Sequence, residues 1–428
     1  MKYSIVTFGC RVNQADSLVI EDGLRARGGV VADPRDADVV VVNTCSVTAS
    51  ADQGARQTIR RIARDNPRVR IVVTGCYATR RPDEVGALPN VVRVIANPAK
   101  ETLADRIDVD LGLTTADRYS ARGDGACGAS SLEPGIAGRT ALTLRVQTGC
   151  EERCAYCIIP RTRGRCQSRP LHEVLAELRR AVAAGYREIW ITGVHLGSYG
   201  RDLLDGTTLE TLVRALAGWP DDVLFRISSL EPMDCTNAIV DLVADSPRLA
   251  PHFHLPLQHG ADEILRLMRR PYTTGFYERL VGRIYDRMPH AAVGSDIIVG
   301  FPGETDEQVE RMLMLLESLP LTYLHVFPYS DRPGTEAADL PAKVSGVAIR
   351  ARAQAVRSLG ERLSTRFQAR QLGSRRRALT MDDGSRAITD NYLKLRIPPG
   401  RSRNEWLQVV IGGSPGALAG ELASARSL

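Results

Sequence analysis

The sequence predicts an α/β protein: a doubly wound amino-terminal domain, then a partial (β/α)6 barrel. Two observations carry this. Short apolar runs rich in β-branched residues recur between amphipathic helical stretches, the pattern of strands buried on both faces of a parallel sheet. A stretch rich in Gly, Ala and Ser, Thr114 to Gly138, divides that series as a linker would. The length of 428 residues suits two or three domains, each with its own core.

In the first domain, Tyr3 to Phe8 is strand-like, and Asn13 to Arg27 is polar with apolar residues at Leu18, Val19 and Leu24. Ala37 to Asn43 is an apolar run, Ala49 to Arg64 suits a helix, Arg70 to Gly75 repeats the strand pattern, and Val91 to Ile95 offers a fourth strand. Cys10, Cys45 and Cys76 each fall just after one of these strands, in Phe8-Gly-Cys10, Asn43-Thr-Cys45 and Thr74-Gly-Cys76. Parallel strands present their carboxyl ends on one edge, where open α/β sheets bind ligands. Each cysteine alone reads as a buried structural residue. Their shared topological position instead predicts one site of three thiolates. Gly9 and Gly75 suit a close approach of backbone to a bulky cofactor, or a simple turn.

The linker contains Cys127, which reads as no ligand. Beyond it, strands are expected at Leu142–Val146, Glu188–Thr192, Val223–Ser228, His252–Leu255, Ala292–Val299 and Tyr323–Phe327. Helices are expected between them at Pro170–Ala184, Leu209–Leu216, Thr236–Ala244, Asp262–Met268, Phe276–Arg287 and Glu307–Ser318. Such units suit an incomplete barrel with its site at the carboxyl ends of the strands. The first strand runs into Cys150-Glu-Glu-Arg-Cys154-Ala-Tyr-Cys157. Three thiolates this close in sequence reach one metal centre, and because an ordinary [4Fe-4S] cluster takes four, three leave one iron open for chemistry. Zinc would want a fourth ligand, yet Cys166 lies beyond the basic run Arg161 to Arg165; a disulfide framework belongs to short secreted chains.

Polar or glycine-rich groups at the later strand ends suit a nucleoside-like cofactor: Gly193 and His195 after the second strand, Ser229 and Glu231 after the third, His254 to His259 after the fourth, and Asp296 within the fifth. A histidine in such a place also reads as a satisfied structural residue, and Gly300-Phe-Pro-Gly303 as a turn into a helix capped by Thr305 or Asp306.

The formal charge is +6, unevenly spread: Arg350 to Arg403 holds 13 Arg and 1 Lys against 4 acidic residues, including Arg375-Arg376-Arg377. Such a segment either neutralises phosphates or forms a solvated basic face. Nine cysteines favour metal or redox chemistry over disulfides in a cytoplasmic chain, and neither a signal peptide nor a spanning segment is read, so a cytoplasmic location without a membrane partner is expected.

Cys150, Cys154 and Cys157, with Tyr156 just before the third, resemble the signature of radical S-adenosylmethionine enzymes. Together with Cys10, Cys45 and Cys76, Ile158-Ile-Pro160, Ser295 to Thr305, Pro328 to Thr335 and the basic tail, the chain resembles the methylthiotransferase family of those enzymes over nearly its whole length. Ile191 to Gly200 looks most like the branch acting on threonylcarbamoyladenosine beside the tRNA anticodon. The resemblance implies two [4Fe-4S] clusters and S-adenosylmethionine: the Cys150 set makes a 5'-deoxyadenosyl radical, and the Cys10 set holds the sulfur to be methylated and delivered to carbon 2 of the adenosine. Tyr156 would then belong with the cofactor-binding residues. It further implies the tRNA anticodon stem-loop as partner, an electron donor such as flavodoxin or ferredoxin, and five regions: residues 1–113, a linker over 114–140, the partial barrel over 141–340, a helical connector over 341–366 and an RNA-binding TRAM-like β-barrel over 367–428. There Arg375, Arg376 and Arg377 would meet phosphates, and Tyr392 or Trp406 would stack on a base or else fill the small barrel's core. The same chemistry on isopentenyladenosine or on a ribosomal-protein aspartate, and a non-catalytic iron–sulfur RNA-binding sensor, are the alternatives.

Overall fold

The structure, a computed structural model, describes residues 1–110, 133–135 and 139–423. Cys127 and most of the expected linker lie outside the described residues. The chain divides into two compact units, the first made by the amino-terminal residues with Thr148–Glu152 and Ile158–Cys166, the second by the remainder.

The first unit is a five-stranded parallel sheet of β1 (Lys2–Thr7), β2 (Val30–Val31), β3 (Val39–Thr44), β4 (Arg70–Gly75) and β5 (Val91–Ile95), in the order β2-β1-β3-β4-β5. The two-residue edge strand β2 was not expected; it is too short to show a pattern. Alternation along the strands sends neighbouring residues to opposite faces. Val40, Val42, Ile71 and Val73 pack with Ala55, Ile59 and Ile62 of helix Ala49–Asp65, whereas Val39, Val41 and Val72 pack with Ile20 and Leu24 of helix Arg11–Arg25 and Leu103 and Ile107 of helix Leu103–Asp110. Each fully buried valine is worth about 1.5–3 kcal/mol, so helices on both faces follow from the unbroken apolar strands. The sheet is doubly wound, and the three cysteine-bearing strand ends fall on adjacent strands β1, β3 and β4.

In the second unit β6 (Leu142–Arg145) is followed by the short β7 (Gln147–Thr148) and β8 (Gln167–Ser168) and then by β9 (Glu188–Thr192) and β10 (Leu224–Ile227), which form a parallel sheet in the order β10-β9-β6. β11 (His252–His254), β12 (Ala292–Val299) and β13 (Tyr323–Pro328) form a second parallel sheet. A bridge from Phe225 of β10 to Leu249, just before β11, joins the two into the expected six-stranded partial barrel. Thr208, Thr236, Thr273 and Thr305 cap the helices that return between strands, each accepting a backbone N–H in the first turn.

Helix Gly346–Gln371 leads to a closed barrel of β14 (Arg375–Met381), β15 (Arg386–Thr389), β16 (Lys394–Arg396), β17 (Trp406–Ser414) and β18 (Ala417–Leu422). Its core of Ala378, Ala387, Leu395, Val409 and Ile411 includes Phe367 from that helix. Arg226 of β10 fastens the two barrels. Fully buried, it pairs with Glu188 (3.1 Å), donates to the carbonyls of Asp390 (2.8 Å) and Thr389 (3.2 Å), and lies over the rings of Trp190 (5.1 Å) and Tyr392 (5.3 Å), which also touch each other. No helix among the described residues is long and apolar enough to cross a membrane.

Candidate metal centres and cofactor site

In the first unit Cys45 and Cys76 follow β3 and β4 directly, and Cys10 follows β1 after Phe8 and Gly9. Cys10 stands at the N-cap of helix Arg11–Arg25 without making a side-chain capping bond, a position where Ser, Thr, Asp or Asn would stabilise the helix by about 1 kcal/mol. A sulfur there forgoes that contribution, which makes sense if the thiol serves another purpose. Gly9 has φ +88°, and a Cβ on it would lie 2.5 Å from Cys45 Sγ; the glycine keeps space open at the trio itself. Gly75, φ +98°, likewise lets β4 pass Thr44, whose carbonyl oxygen a Cβ would meet at 2.1 Å. Burial first, and the neighbouring thiols Cys10 and Cys76 as well, push the Cys45 thiol up to about 12. A bound cationic centre reverses this by deprotonating its thiol ligands outright. The trio therefore fits an iron–sulfur group, with Asn97 Nδ2 donating to Cys76 Sγ at 3.5 Å from the side.

The other three cysteines divide between the units. Cys150 belongs to the first, where its N–H donates to the Gly164 carbonyl at 3.0 Å. Gly149 before it, φ +72°, passes so close to Arg165 that a Cβ would lie 1.8 Å from the carbonyl oxygen. Cys154 and Cys157 belong to the second unit and are joined by a turn, the Cys157 N–H donating to the Cys154 carbonyl at 3.0 Å. Ala155 anchors that turn by donating to Met268 O and accepting from Ala337 N. Tyr156 packs on the apolar cluster of Ile264, Met268 and Phe301, and its burial raises the hydroxyl. Arg270, which sequence reasoning missed, is buried and donates from Nη1 to Cys154 Sγ at 3.1 Å, from Nε to Tyr272 at 3.0 Å and from Nη2 to Glu231. A buried guanidinium on the sulfur favours its thiolate form, so the Cys154 surroundings also suit a metal-bound ligand.

Around the barrel, the residues expected near the cofactor have mixed surroundings. A Cβ on Gly193 would meet Gln147 Oε1 at 2.9 Å, and that oxygen accepts the His195 N–H. The His195 ring is buried against Asp234, with Nε2 2.8 Å from Oδ2. Ser229 is exposed. Glu231 is bound to Arg270, and burial raises its carboxyl despite that partner. Asp296 accepts from His254 Nε2 at 2.9 Å and His325 Nδ1 at 3.2 Å, while the Tyr323 hydroxyl is 3.1 Å from His254 Nδ1. Burial acts to raise the Asp296 carboxyl, yet the hydrogen bonds from the two histidines outweigh it and hold the group far below the usual carboxylate range. His325 and Tyr323 were also missed, although both sit at alternate positions of a strand read correctly. Gly300 to Gly303 is a turn locked by Glu304, whose carboxylate takes the Gly300 N–H and Arg352 Nη1, and Thr305 caps the helix after it.

In the small barrel, Arg376 pairs with Asp390 at 2.9 Å, and Arg377 pairs with Asp222 at 2.6 Å while its guanidinium lies 3.6 Å from the Trp406 ring centroid. Arg375 is exposed. All three line a groove of about 530 Å³ with His290 and Gln408. Tyr392 packs with its ring on Trp190 (5.5 Å), His252 (4.5 Å) and Tyr323 (6.2 Å).

Comparison with known proteins gives this arrangement a family. Residues 2–97 match an uncharacterised protein family, UPF0004, and residues 144–316 match the radical SAM superfamily. A threonylcarbamoyladenosine tRNA methylthiotransferase MtaB from Aquifex aeolicus is 33% identical over 92% of this chain and 96% of its own. One from Bacillus subtilis is 34% identical over 84% of this chain and 80% of its own, and a tRNA-2-methylthio-N(6)-dimethylallyladenosine synthase from Paenarthrobacter aurescens is 32% identical over 95% of this chain and 78% of its own. Among solved structures, the radical S-adenosylmethionine methyltransferase TsrM from Kitasatospora setae shares the fold at TM-score 0.56 and 18% identity, over 79% of this chain and 75% of that one. With both matched regions, and relatives at this identity spanning nearly the full length, the chain belongs to the methylthiotransferase family of radical S-adenosylmethionine enzymes and is a transferase.

Proposed function

We propose that this protein inserts a methylthio group at carbon 2 of N6-threonylcarbamoyladenosine next to the anticodon of tRNA. The observation that carries the reading is the convergence of Cys10, Cys45 and Cys76 at three adjacent strand ends, in a chain that also holds Cys150, Cys154 and Cys157. Four threonylcarbamoyladenosine tRNA methylthiotransferases at 33–34% identity, over 84–93% of this chain, support the side chain named. Cys10, Cys45 and Cys76 hold one [4Fe-4S] cluster, and Cys150, Cys154 and Cys157 hold a second with an iron left open for S-adenosylmethionine. When bound, these groups supply the sulfur and the radical reactivity that no acid, base or polar nucleophile of a protein offers at an aromatic C–H. The chain's own residues bind and orient. Arg270 holds Cys154 and Glu231, Asp296 fixes the His254 and His325 rings in the barrel, and Arg375 offers its charge to tRNA phosphate. The anticodon stem-loop is the substrate, a low-potential donor of the flavodoxin or ferredoxin type supplies electrons, and the work is done in the cytoplasm.

The dimethylallyladenosine synthases at 32–34% identity favour a second reading, the same insertion on an isopentenyl-type adenosine. One experiment separates them: nucleosides from total tRNA of a strain lacking the gene are analysed by mass. Loss of 2-methylthio-N6-threonylcarbamoyladenosine, with the precursor accumulating, is expected. Its persistence, or loss of only the isopentenyl product, contradicts the proposal.

A further inference from the structure

Three buried charges share the sheet edge with Cys10, Cys45 and Cys76. Asp16 accepts from Lys100 Nζ at 2.9 Å and from Arg163 Nη2 at 3.0 Å. Their side chains are 1%, 6% and 3% exposed respectively. Arg163 Nη2 is further held by Asn13 Oδ1 at 2.5 Å, and Asn13 Nδ2 donates to the carbonyls of Phe8 (2.8 Å) and Thr44 (2.9 Å), which lead into Cys10 and Cys45. Asn97 approaches the Cys76 sulfur while its Nδ2 also donates to Thr162 O at 2.9 Å, beside Arg163 in the chain. The nearby Arg80 and Asp52 form a pair of their own at 2.6 Å and add no net charge.

Two basic groups against one carboxylate leave one positive charge in surplus when both are ionised, and burial, with Arg163 beside it, lowers Lys100 from its ordinary value, which is the cost of that surplus. An oxidised cubane core carries two positive charges and three thiolates carry three negative ones, so a cluster held by this trio has one net negative charge. The protein's surplus and the cluster's charge cancel. Lys100 spends its hydrogen bonds on Asp16 and Asn43, whereas Arg163 follows Thr162, whose carbonyl accepts from the same Asn97 that donates to Cys76 Sγ.

We propose that Arg163 is a positioning residue of the amino-terminal cluster: held by Asp16 and Asn13 beside the cysteine trio, its buried charge balances the liganded trio and raises the cluster's reduction potential. This rests on the reading that the trio holds a [4Fe-4S] cluster. Reduction adds a negative charge, which a neighbouring cation stabilises; net charge and hydrogen bonds to the sulfurs are among the terms that set such potentials.

The test uses full-length protein carrying Cys150→Ala, Cys154→Ala and Cys157→Ala, so that one cluster remains, with Arg163→Met or Arg163→Lys added. Iron and sulfide are assayed, and the reduced cluster is followed by electron paramagnetic resonance in a potentiometric titration. Arg163→Met is expected to lower the reduced-to-oxidised ratio at fixed potential at least about tenfold, a shift of about 59 mV to more negative values for a one-electron couple. Arg163→Lys should recover most of it. Loss of iron in the Met variant with retention in the Lys variant also supports the charge role. An unchanged potential in Arg163→Met, or equal loss of iron in both, overturns it. No cluster in the parent variant overturns the reading of the trio itself, and the inference falls with it.

Discussion

Replacing Arg226 by Met should destabilise the barrel unit by about 3–5 kcal/mol, because the substitution strands a carboxylate. Glu188 is 2% exposed at its side chain and pairs with Arg226 Nε; among the described residues its other oxygen, Oε2, has no hydrogen-bond partner. Its ionised form thus leans on one guanidinium, and removing one partner of a buried pair typically costs about 3–5 kcal/mol. The carbonyls of Thr389 and Asp390 lose their donors as well. Urea unfolding followed by tryptophan fluorescence isolates the effect, since the three tryptophans of the sequence, Trp190, Trp219 and Trp406, all lie in the second unit, and a chain this long need not unfold in one step. The double variant Arg226→Met/Glu188→Leu removes the stranded charge and should recover about 1–3 kcal/mol of the loss, with the two carbonyls accounting for much of the remainder. A loss under about 1 kcal/mol in the single variant, or a double variant no more stable than the single, would refute the argument that the pair is an interdependent fastening.

Three further outcomes are expected. Asp296→Asn should lose the stability that comes from an ionised carboxylate held by His254 and His325. Because the folded carboxyl is depressed, that contribution is present above the unfolded value of about 3.9 and fades as pH falls through the folded one, so the gap to wild type in urea titrations should be open at about pH 5 and begin to close below about 4. Gly9→Ala places a Cβ 2.4 Å from Cys45 Cβ at φ +88° and should cost the protein one cluster's iron, whereas Gly54→Ala, with nothing within 4 Å of its Cβ and no positive φ, should keep it. Arg375→Ala should weaken tRNA binding uniformly across sequences and reduce the salt slope of the affinity by about 1; an unchanged slope in filter binding removes Arg375 from the phosphate contacts.

The parallel architecture was legible because strands covered on both faces leave continuous apolar runs, and Val39 to Val42 is such a run. The cysteine positions followed from topology, since parallel strands put residues as distant as Cys10 and Cys76 on one edge. The surroundings of those cysteines were not legible. Arg163 meets Asp16 and Asn13 beside the first trio, and Arg270 meets Cys154, only after folding, and in sequence they are two arginines in basic stretches. Charge counting had the opposite weakness: it offered Arg375 to Arg377 as one block, while along a strand they alternate faces, so that Arg376 and Arg377 meet Asp390 and Asp222. Tyr392 likewise lies among Trp190, His252 and Tyr323, a packing role that weak alternation alone left undecided against base stacking.

The account depends on two separate cysteine trios, each holding its own iron–sulfur core, and iron with acid-labile sulfide in anaerobically reconstituted protein measures this most directly. About eight of each per chain are expected, falling to about four when Cys10, Cys45 and Cys76 are all replaced by Ala and again to about four when Cys150, Cys154 and Cys157 are. About four per chain in the unaltered protein, untouched by the first triple replacement, would contradict it.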